Sequence, residues 1–130
     1  HPQHIDATMV PLRPGLVMMN PERPPVDGTV ALFEENDWKV VMAPPSVRAG
    51  AHRTVVTSSW ISMNVFNVNE DTIICEEREQ PMIDFLKSFG FRVIAIPFAN
   101  VYPFGGSFHC CTVDIRRNGE LKSYFPFLDA

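Results

Sequence analysis

The chain has 130 residues, of which 45% are hydrophobic and 20% are charged, and its formal net charge at pH 7 is −4. This length supports one hydrophobic core, so we expect one domain. Lysine and arginine are scattered and no apolar run reaches the length of a membrane span, which argues against nucleic-acid and membrane partners.

The three cysteines are an odd number, and two of them are adjacent, which argues against a disulfide framework. Their use indicates a reducing compartment, and we expect a cytoplasmic protein. The sequence has no CxxC pair and no His-x-x-x-His spacing. We therefore predict no metal site, and we expect no cofactor.

Two predicted units follow each other, over about residues 4–44 and 58–97, and both read strand, strand, helix, strand. In the first unit, the elements are an apolar run over 5–12, a second run over 16–19, a short helix over 29–36 and a strand over 39–43. In the second unit, they are strands over 62–68 and 72–75, a helix over 80–89 and a strand over 91–96.

The two units are offset by 53 residues, when Lys39 to Val41 is aligned with Arg92 to Ile94. A third unit, over about residues 109–130, contains only its first hairpin, which we predict to turn at Asn118-Gly119. A period just above fifty residues indicates radial, propeller-like repetition.

The third unit begins with two adjacent thiols, Cys110 and Cys111, directly after a glycine pair. Gly105 and Gly106 permit positive φ and a close backbone approach, so a ligand could lie beside Cys110. The alternation from Val113 to Arg116 predicts a strand that holds the thiol rigidly.

Corresponding positions of the three units carry reactive side chains. His4, Ser58 and Cys110 precede the first strand of successive units, at intervals of 54 and 52 residues. Radial repetition would bring them to one axis, which favours a cysteine nucleophile with a histidine base. For Ser58 alone, local capping of its strand is the favoured interpretation.

Four segments of the chain resemble the arginine:glycine amidinotransferase family, within the guanidino-group-modifying pentein superfamily. They cover residues 4–8 (His-Ile-Asp-Ala-Thr), 16–23 (ending Asn-Pro-Glu-Arg), 60–64 (Trp-Ile-Ser-Met-Asn) and 108–117, with the pattern His-Cys-x-Thr-x-Asp-x-Arg-Arg. The resemblance extends over nearly the whole chain. It implies that residues 1–130 form the C-terminal part of a single catalytic domain.

The resemblance implies an α/β fold, a five-bladed propeller of strand-strand-helix-strand modules. This chain would supply about two blades and the start of a third. The partner that completes it would be the missing N-terminal portion of the same enzyme, and we expect the isolated 130-residue chain to be inactive. A homodimer is left open.

The implied reaction moves the amidino group of L-arginine to an amine acceptor through a covalent amidino-cysteine, and releases ornithine. By resemblance, Cys110 is the nucleophile and His4 the acid/base. Asp6 matches a carboxylate that orients the guanidinium, Arg23 matches the residue that holds the α-carboxylate, and Thr57 and Ser58 match a small polar pair near the amino-acid end.

Departures from the family pattern leave the acceptor open between glycine, another amino acid and a polyamine. Cys111 stands where the family usually has tryptophan, and Val113 replaces a cysteine. Two alternatives remain for the activity: an arginine deiminase-like hydrolase of the same superfamily, and a non-catalytic fragment.

Other polar residues have structural interpretations. Period-two alternation predicts that His109 faces away from Cys110. Cys75, which ends an apolar run, is predicted to be a small buried hydrophobe. Asp114, Arg116 and Arg117 are predicted to brace the hairpin.

Overall fold

In this computed structural model, residues 4–47 and 58–128 are described, and they form six strands, two α-helices and three short 3-10 helices. The strands are β1 (Met9–Arg13), β2 (Leu16–Met19), β3 (Lys39–Met42), β4 (Phe66–Asn67), β5 (Thr72–Glu76) and β6 (Arg92–Ile96). The α-helices are α1 (Thr29–Glu35) and α2 (Gln80–Ser88), and the 3-10 helices are Ile5–Ala7, Ile61–Met63 and Tyr102–Phe104. Within the described ranges, no helix is both long and apolar enough to cross a membrane.

The strands form two three-stranded sheets of the same design, in the orders β1-β2-β3 and β4-β5-β6. In each sheet the first pair is antiparallel and the second pair is parallel. A helix connects the two parallel strands, as parallel pairing requires. The strand-strand-helix-strand order predicted from the sequence is therefore present twice, in a small mixed α/β fold.

The main hydrophobic core receives side chains from both sheets. Leu12 and Met18 of the first sheet belong to the same buried cluster as Ile73 of the second, together with Met82 and Leu86 of α2. The continuous apolar run of β2 follows from burial of both its faces, one in this cluster and the other in a second cluster beside α1. The two sheets are thus joined through one core, which fixes the segments at their ends.

The first predicted strand of the second unit is wrong over most of its length. We expected a strand from Ser62 to Val68, but Ile61–Met63 is a 3-10 helix and only Phe66–Asn67 pairs with β5. The 3-10 helix buries Ser62 and Met63 and ends at Asn64, whose N–H donates to the carbonyl of Ile61 at 3.0 Å. Long-range contacts of Asn64, described below, override the local alternation.

The predicted hairpin of the third unit is also wrong, because residues 109–128 contain no strand. Val113 and Ile115, which alternate as in a strand, are 82% and 95% exposed. A strand needs a hydrogen-bonded neighbour, and an isolated two-stranded hairpin is marginal in water. The segment instead attaches to the first unit, where the Trp38 indole donates to the carbonyl of Tyr124 at 2.8 Å and stacks on Phe125.

Candidate active site

Two segments that are far apart in the sequence meet at Cys110. Its sulfur lies 3.1 Å from Nδ1 of His4, although 106 residues separate them. Both residues are exposed, so a solute can reach the sulfur from solvent. At this distance a proton can pass between the thiol and the imidazole, which is the arrangement of an activated cysteine nucleophile.

Cys110 lies in a turn, and the strand over 113–116 that we predicted to hold the thiol is absent. The N–H of Cys111 donates to the carbonyl of Ser107 at 3.1 Å, and the N–H of Thr112 donates to the carbonyl of His109 at 3.2 Å. Gly105 has a φ of +83°, in the left-handed region that favours glycine. Gly105 therefore ends the 3-10 helix Tyr102–Phe104 shortly before the segment that presents the sulfur.

Gly106 makes room for Cys110 itself. A Cβ at position 106 would lie 2.7 Å from the Cβ of Cys110 and 3.4 Å from its sulfur. The close approach predicted from the glycine pair is therefore made by the cysteine side chain. Any side chain at position 106 would displace the candidate nucleophile.

Asp6 is a buried carboxylate on the 3-10 helix Ile5–Ala7. Asn20, which is also buried, anchors this helix, because its amide donates to the carbonyl of Ala7 at 2.8 Å. Potential ligand atoms of His4, Asp6 and Cys110 all lie within 4.8 Å of one another. The structure thus brings together the two residues that the resemblance assigned to catalysis and the carboxylate that it assigned to orienting the guanidinium.

Asn64 connects Asp6 with Cys110, and the sequence analysis gave it no role. Its Nδ2 donates to Oδ2 of Asp6 and, at 3.0 Å, to the sulfur of Cys110. Its Oδ1 accepts the N–H of Ser107 at 2.9 Å and that of Cys110 at 3.2 Å. The sequence signal for this role was the position of Asn64 between Met63 and Val65. A polar side chain in an apolar run is buried, so it needs hydrogen-bond partners.

His109 was also misassigned. We predicted that it faces away from Cys110, but its Nδ1 lies 3.5 Å from Oδ2 of Asp6. The period-two argument failed because residues 109–111 are in a turn. A cavity of about 300 Å³ adjoins Asp6 and His109 and extends to Thr112, so it provides room for a ligand beside the carboxylate.

For the remaining predicted binding residues that the structure describes, Arg23 and Ser58, it gives no hydrogen bond with the sulfur. Arg23 is half-buried, and its N–H donates to the carbonyl of Asn20 at 3.3 Å. Since Asn20 also holds the helix of Asp6, the turn that carries Arg23 is coupled to the site. Ser58 is exposed and its hydroxyl accepts the N–H of Trp60 at 3.1 Å, which matches local capping. Thr57 lies outside the described residues.

The other cysteine and the acidic–basic pair have structural environments. Cys75 is 1% exposed, and burial, with the charges of Glu76 and Glu79, raises the pKa of its thiol to about 12. Arg117 forms an ion pair with Asp114 at 2.8 Å and donates to the carbonyl of Asn67, also at 2.8 Å. Arg117 therefore braces the segment against β4, although the predicted hairpin is not formed.

The donor set of His4, Asp6 and Cys110 also resembles a set of metal ligands. However, Nδ2 of Asn64 donates to both the carboxylate and the sulfur. The lone pairs that would point to a metal ion between these two ligands already accept the amide hydrogens. The arrangement suits proton transfer and binding of a cationic hydrogen-bond donor better than metal coordination.

The chain is similar in sequence to curated amidinotransferases. It is 45% identical over 124 residues to the L-arginine:L-lysine amidinotransferase of Pseudomonas savastanoi pv. phaseolicola, covering 95% of this chain and 33% of that protein. It is 37% identical over 125 residues to the mitochondrial glycine amidinotransferase of Xenopus laevis, covering 96% of this chain and 29% of that protein. The chain thus spans about a third of the length of these relatives. No protein-family model matches it.

Solved structures give the same result. An amidinotransferase of the saxitoxin biosynthetic pathway from Microseira wollei superposes with a TM-score of 0.86 at 39% identity, over 95% of this chain and 34% of that one. An inosamine-phosphate amidinotransferase from Streptomyces griseus superposes with a TM-score of 0.83 at 34% identity, over 94% of this chain and 35% of that one. This chain therefore shares the α/β fold of these amidinotransferases. The chain belongs to the amidinotransferase family.

Proposed function

We propose that this chain is the part of an amidinotransferase that carries its nucleophile, and that the enzyme moves the amidino group of L-arginine to an amine acceptor. The observation that carries the proposal is the sulfur of Cys110 at 3.1 Å from Nδ1 of His4, with Asp6 beside both. Membership in the amidinotransferase family supports the same reaction type.

In the first half-reaction, the sulfur of Cys110 bonds to the guanidinium carbon of arginine. The carbon–nitrogen bond to the ornithine δ-nitrogen breaks, and His4 gives a proton to the departing amine. Asp6 accepts hydrogen bonds from the guanidinium, which holds the planar cation with its carbon facing the sulfur. The products of this step are ornithine and an amidino-cysteine.

In the second half-reaction, the nitrogen of the acceptor amine attacks the amidino carbon. The carbon–sulfur bond breaks, the thiolate of Cys110 is restored, and the proton of the amine passes to His4. The histidine returns to its starting protonation state, so the two steps form a closed cycle. Arg23 binds the α-carboxylate of arginine through its forked guanidinium, and Thr57 and Ser58 bind near the amino-acid end.

The chain acts within a larger catalytic domain, a five-bladed propeller whose other blades complete the site. This proposal is supported by the repeated sheet design and by the length of the relatives, which is about three times that of this chain. It is also supported by exposed apolar side chains in residues 109–128, namely Val113, Ile115, Leu121 and Phe127. We infer that the remainder of the same enzyme covers them.

Product analysis tests the activity. The full-length enzyme is incubated with arginine, with and without glycine, lysine or a polyamine. We expect ornithine and an amidinated amine in amounts that depend on the acceptor. Release of citrulline without dependence on an amine would identify a hydrolase instead. Cys110→Ala should abolish both products and Cys111→Ala should not, whereas equal activity of the two variants would contradict the assignment of the nucleophile.

A further inference from the structure

Asn64 lies between the segment of Asp6 and the turn of Cys110 at the candidate site, and it is only 5% exposed. It follows the 3-10 helix Ile61–Met63, which lies against the 3-10 helix of Asp6. From this position its amide contacts Asp6 on one side and the turn from Ser107 to Cys110 on the other. One buried side chain therefore links the carboxylate, the sulfur and the backbone that presents the sulfur.

The orientation of the Asn64 amide is determined by its partners. The N–H groups of Ser107 and Cys110 can only donate, so the atom that faces them must be Oδ1. Nδ2 must then face the Asp6 carboxylate and the sulfur, which both accept. The two donors and two acceptor sites of the amide are all used.

We infer that Asn64 positions Cys110 and stabilises its thiolate, by accepting two backbone N–H groups with Oδ1 and donating to the sulfur with Nδ2. This inference rests on the proposed role of Cys110 as the nucleophile. The second N–H of the amide holds Asp6, so a single residue sets the relative position of the nucleophile and the guanidinium-binding carboxylate.

An uncharged amide is required at this position for an electrostatic reason. Two titratable side chains lie beside the sulfur, His4 at 3.1 Å and Asp6 within 4.8 Å, and a third, His109, lies 3.5 Å from Asp6. The Asp6 carboxylate opposes a negative charge on the sulfur, and the Nδ2 hydrogens of Asn64 offset that repulsion. A carboxylate in place of the amide would still accept from the backbone but would repel both groups.

The test is the pH dependence of alkylation by iodoacetamide in the full-length enzyme. Cys111→Ser serves as the background, so that modification of the tryptic peptide reports on Cys110. We expect Asn64→Asp to move the midpoint of the alkylation profile upward by about one pH unit and to slow alkylation at pH 7 about ten-fold. Circular dichroism checks that the variant is folded.

Asn69→Asp is the matched control. It makes the same change of an amide to a carboxylate in a surface turn, where Oδ1 of Asn69 accepts the N–H of Asp71 at 2.9 Å. This variant should keep the parental midpoint. If Asn64→Asp does not fold, Asn64→Ala decides the question, because it removes the donor without adding charge and should shift the midpoint in the same direction.

An unchanged midpoint in the folded Asn64 variant would overturn the inference, even if the variant lost activity, since a purely structural residue would not alter the profile. Alkylation needs neither arginine nor an acceptor. Its outcome is therefore independent of the product analysis, and failure of the proposed reaction can be distinguished from failure of the role of Asn64.

Discussion

Nδ1 of His4 and the sulfur of Cys110 lie 3.1 Å apart, although 106 residues separate them in the sequence. Neither residue is on a regular strand: His4 directly precedes a 3-10 helix, and Cys110 lies in a turn. Both are held by side chains of other loops, Asn20 for the segment after His4 and Asn64 for Cys110. The reactive pair thus depends on long-range hydrogen bonds, and this dependence makes it sensitive to small changes nearby.

Cys110 should be the cysteine that carries the covalent adduct. With arginine and no acceptor, acid quenching of the full-length enzyme should leave an amidino group on the Cys110 side chain, identified by fragmentation mass spectrometry. Cys75 should remain unmodified, because it is buried and its raised pKa of about 12 keeps it as a thiol at neutral pH. An adduct on Cys111 in the parent enzyme would contradict this prediction.

Gly106→Ala should reduce kcat strongly without unfolding the protein. The new Cβ would lie 2.7 Å from the Cβ of Cys110, so the cysteine must move away from His4. A displacement of this size can cost on the order of a hundred-fold in rate. Gly119→Ala is the control, because a Cβ there meets nothing within 4 Å. Equal kcat values for the two variants would show that the packing at Gly106 is irrelevant to catalysis.

The elements that the sequence predicted correctly are those whose pattern is strong and local. The helix expected over 80–89 is α2, Gln80–Ser88, and the strand expected over 91–96 is β6, Arg92–Ile96. Burial of Met82 and Leu86 against the core agrees with the helical period. Such segments are defined by their own residues, so periodicity alone was enough to locate them.

Where partners far along the chain decide the conformation, the sequence was misleading. The alternation of Val113 and Ile115 predicted a strand, but a strand also needs a neighbouring edge, which no local pattern reveals. Asn64 accepts from Cys110 across 46 residues, and the beginning of the strand predicted over 62–68 is a 3-10 helix instead. The resemblance supplied His4, Asp6 and Cys110, while Asn64 became visible only through its contacts.

Arg23→Ala should raise KM for arginine much more than KM for agmatine. Agmatine lacks the α-carboxylate, so it loses no ion pair when the guanidinium of Arg23 is removed. The loss of a hydrogen-bonded charge pair in a cleft costs about 2–5 kcal/mol, which KM and kcat/KM measure directly. Arg92→Ala, on the exposed edge of β6, controls for a general change of charge. Equal increases in KM for arginine and agmatine would indicate that Arg23 acts structurally.

Glu79→Gln should lower the melting temperature of the full-length enzyme. The buried Glu79 carboxylate accepts the hydroxyl of Ser46 at 2.6 Å and the N–H of Val47 at 2.9 Å. Hydrogen bonds to a charged group contribute about 1.5–3 kcal/mol each, and a neutral amide lacks the charge that strengthens both of these bonds. Glu77→Gln, at an exposed neighbouring position, should leave the melting temperature unchanged. Calorimetry that finds the two variants equally stable would contradict the role of Glu79.

Asp114 should titrate at a lower pH in the parent enzyme than in Arg117→Ala. The hydrogen bond from Arg117 holds the pKa of the Asp114 carboxyl below its usual value. Since the folded-state pKa is depressed, the contribution of this ion pair to stability is fully present above the unfolded-state pKa, which is about 3.9. That contribution is lost as the pH falls through the lowered, folded-state pKa. Carboxyl chemical shifts from carbon NMR follow the titration directly.

Arg116→Ala is the control for this titration, because it removes a neighbouring charge while leaving the hydrogen bond between Arg117 and Asp114 intact. It should leave the Asp114 midpoint close to that of the parent, whereas Arg117→Ala should raise it. Protonation of Asp114 should not release the segment, since Arg117 still donates to the carbonyl of Asn67 at 2.8 Å. A common Asp114 midpoint in the parent and in Arg117→Ala would show that the ion pair does not persist in solution.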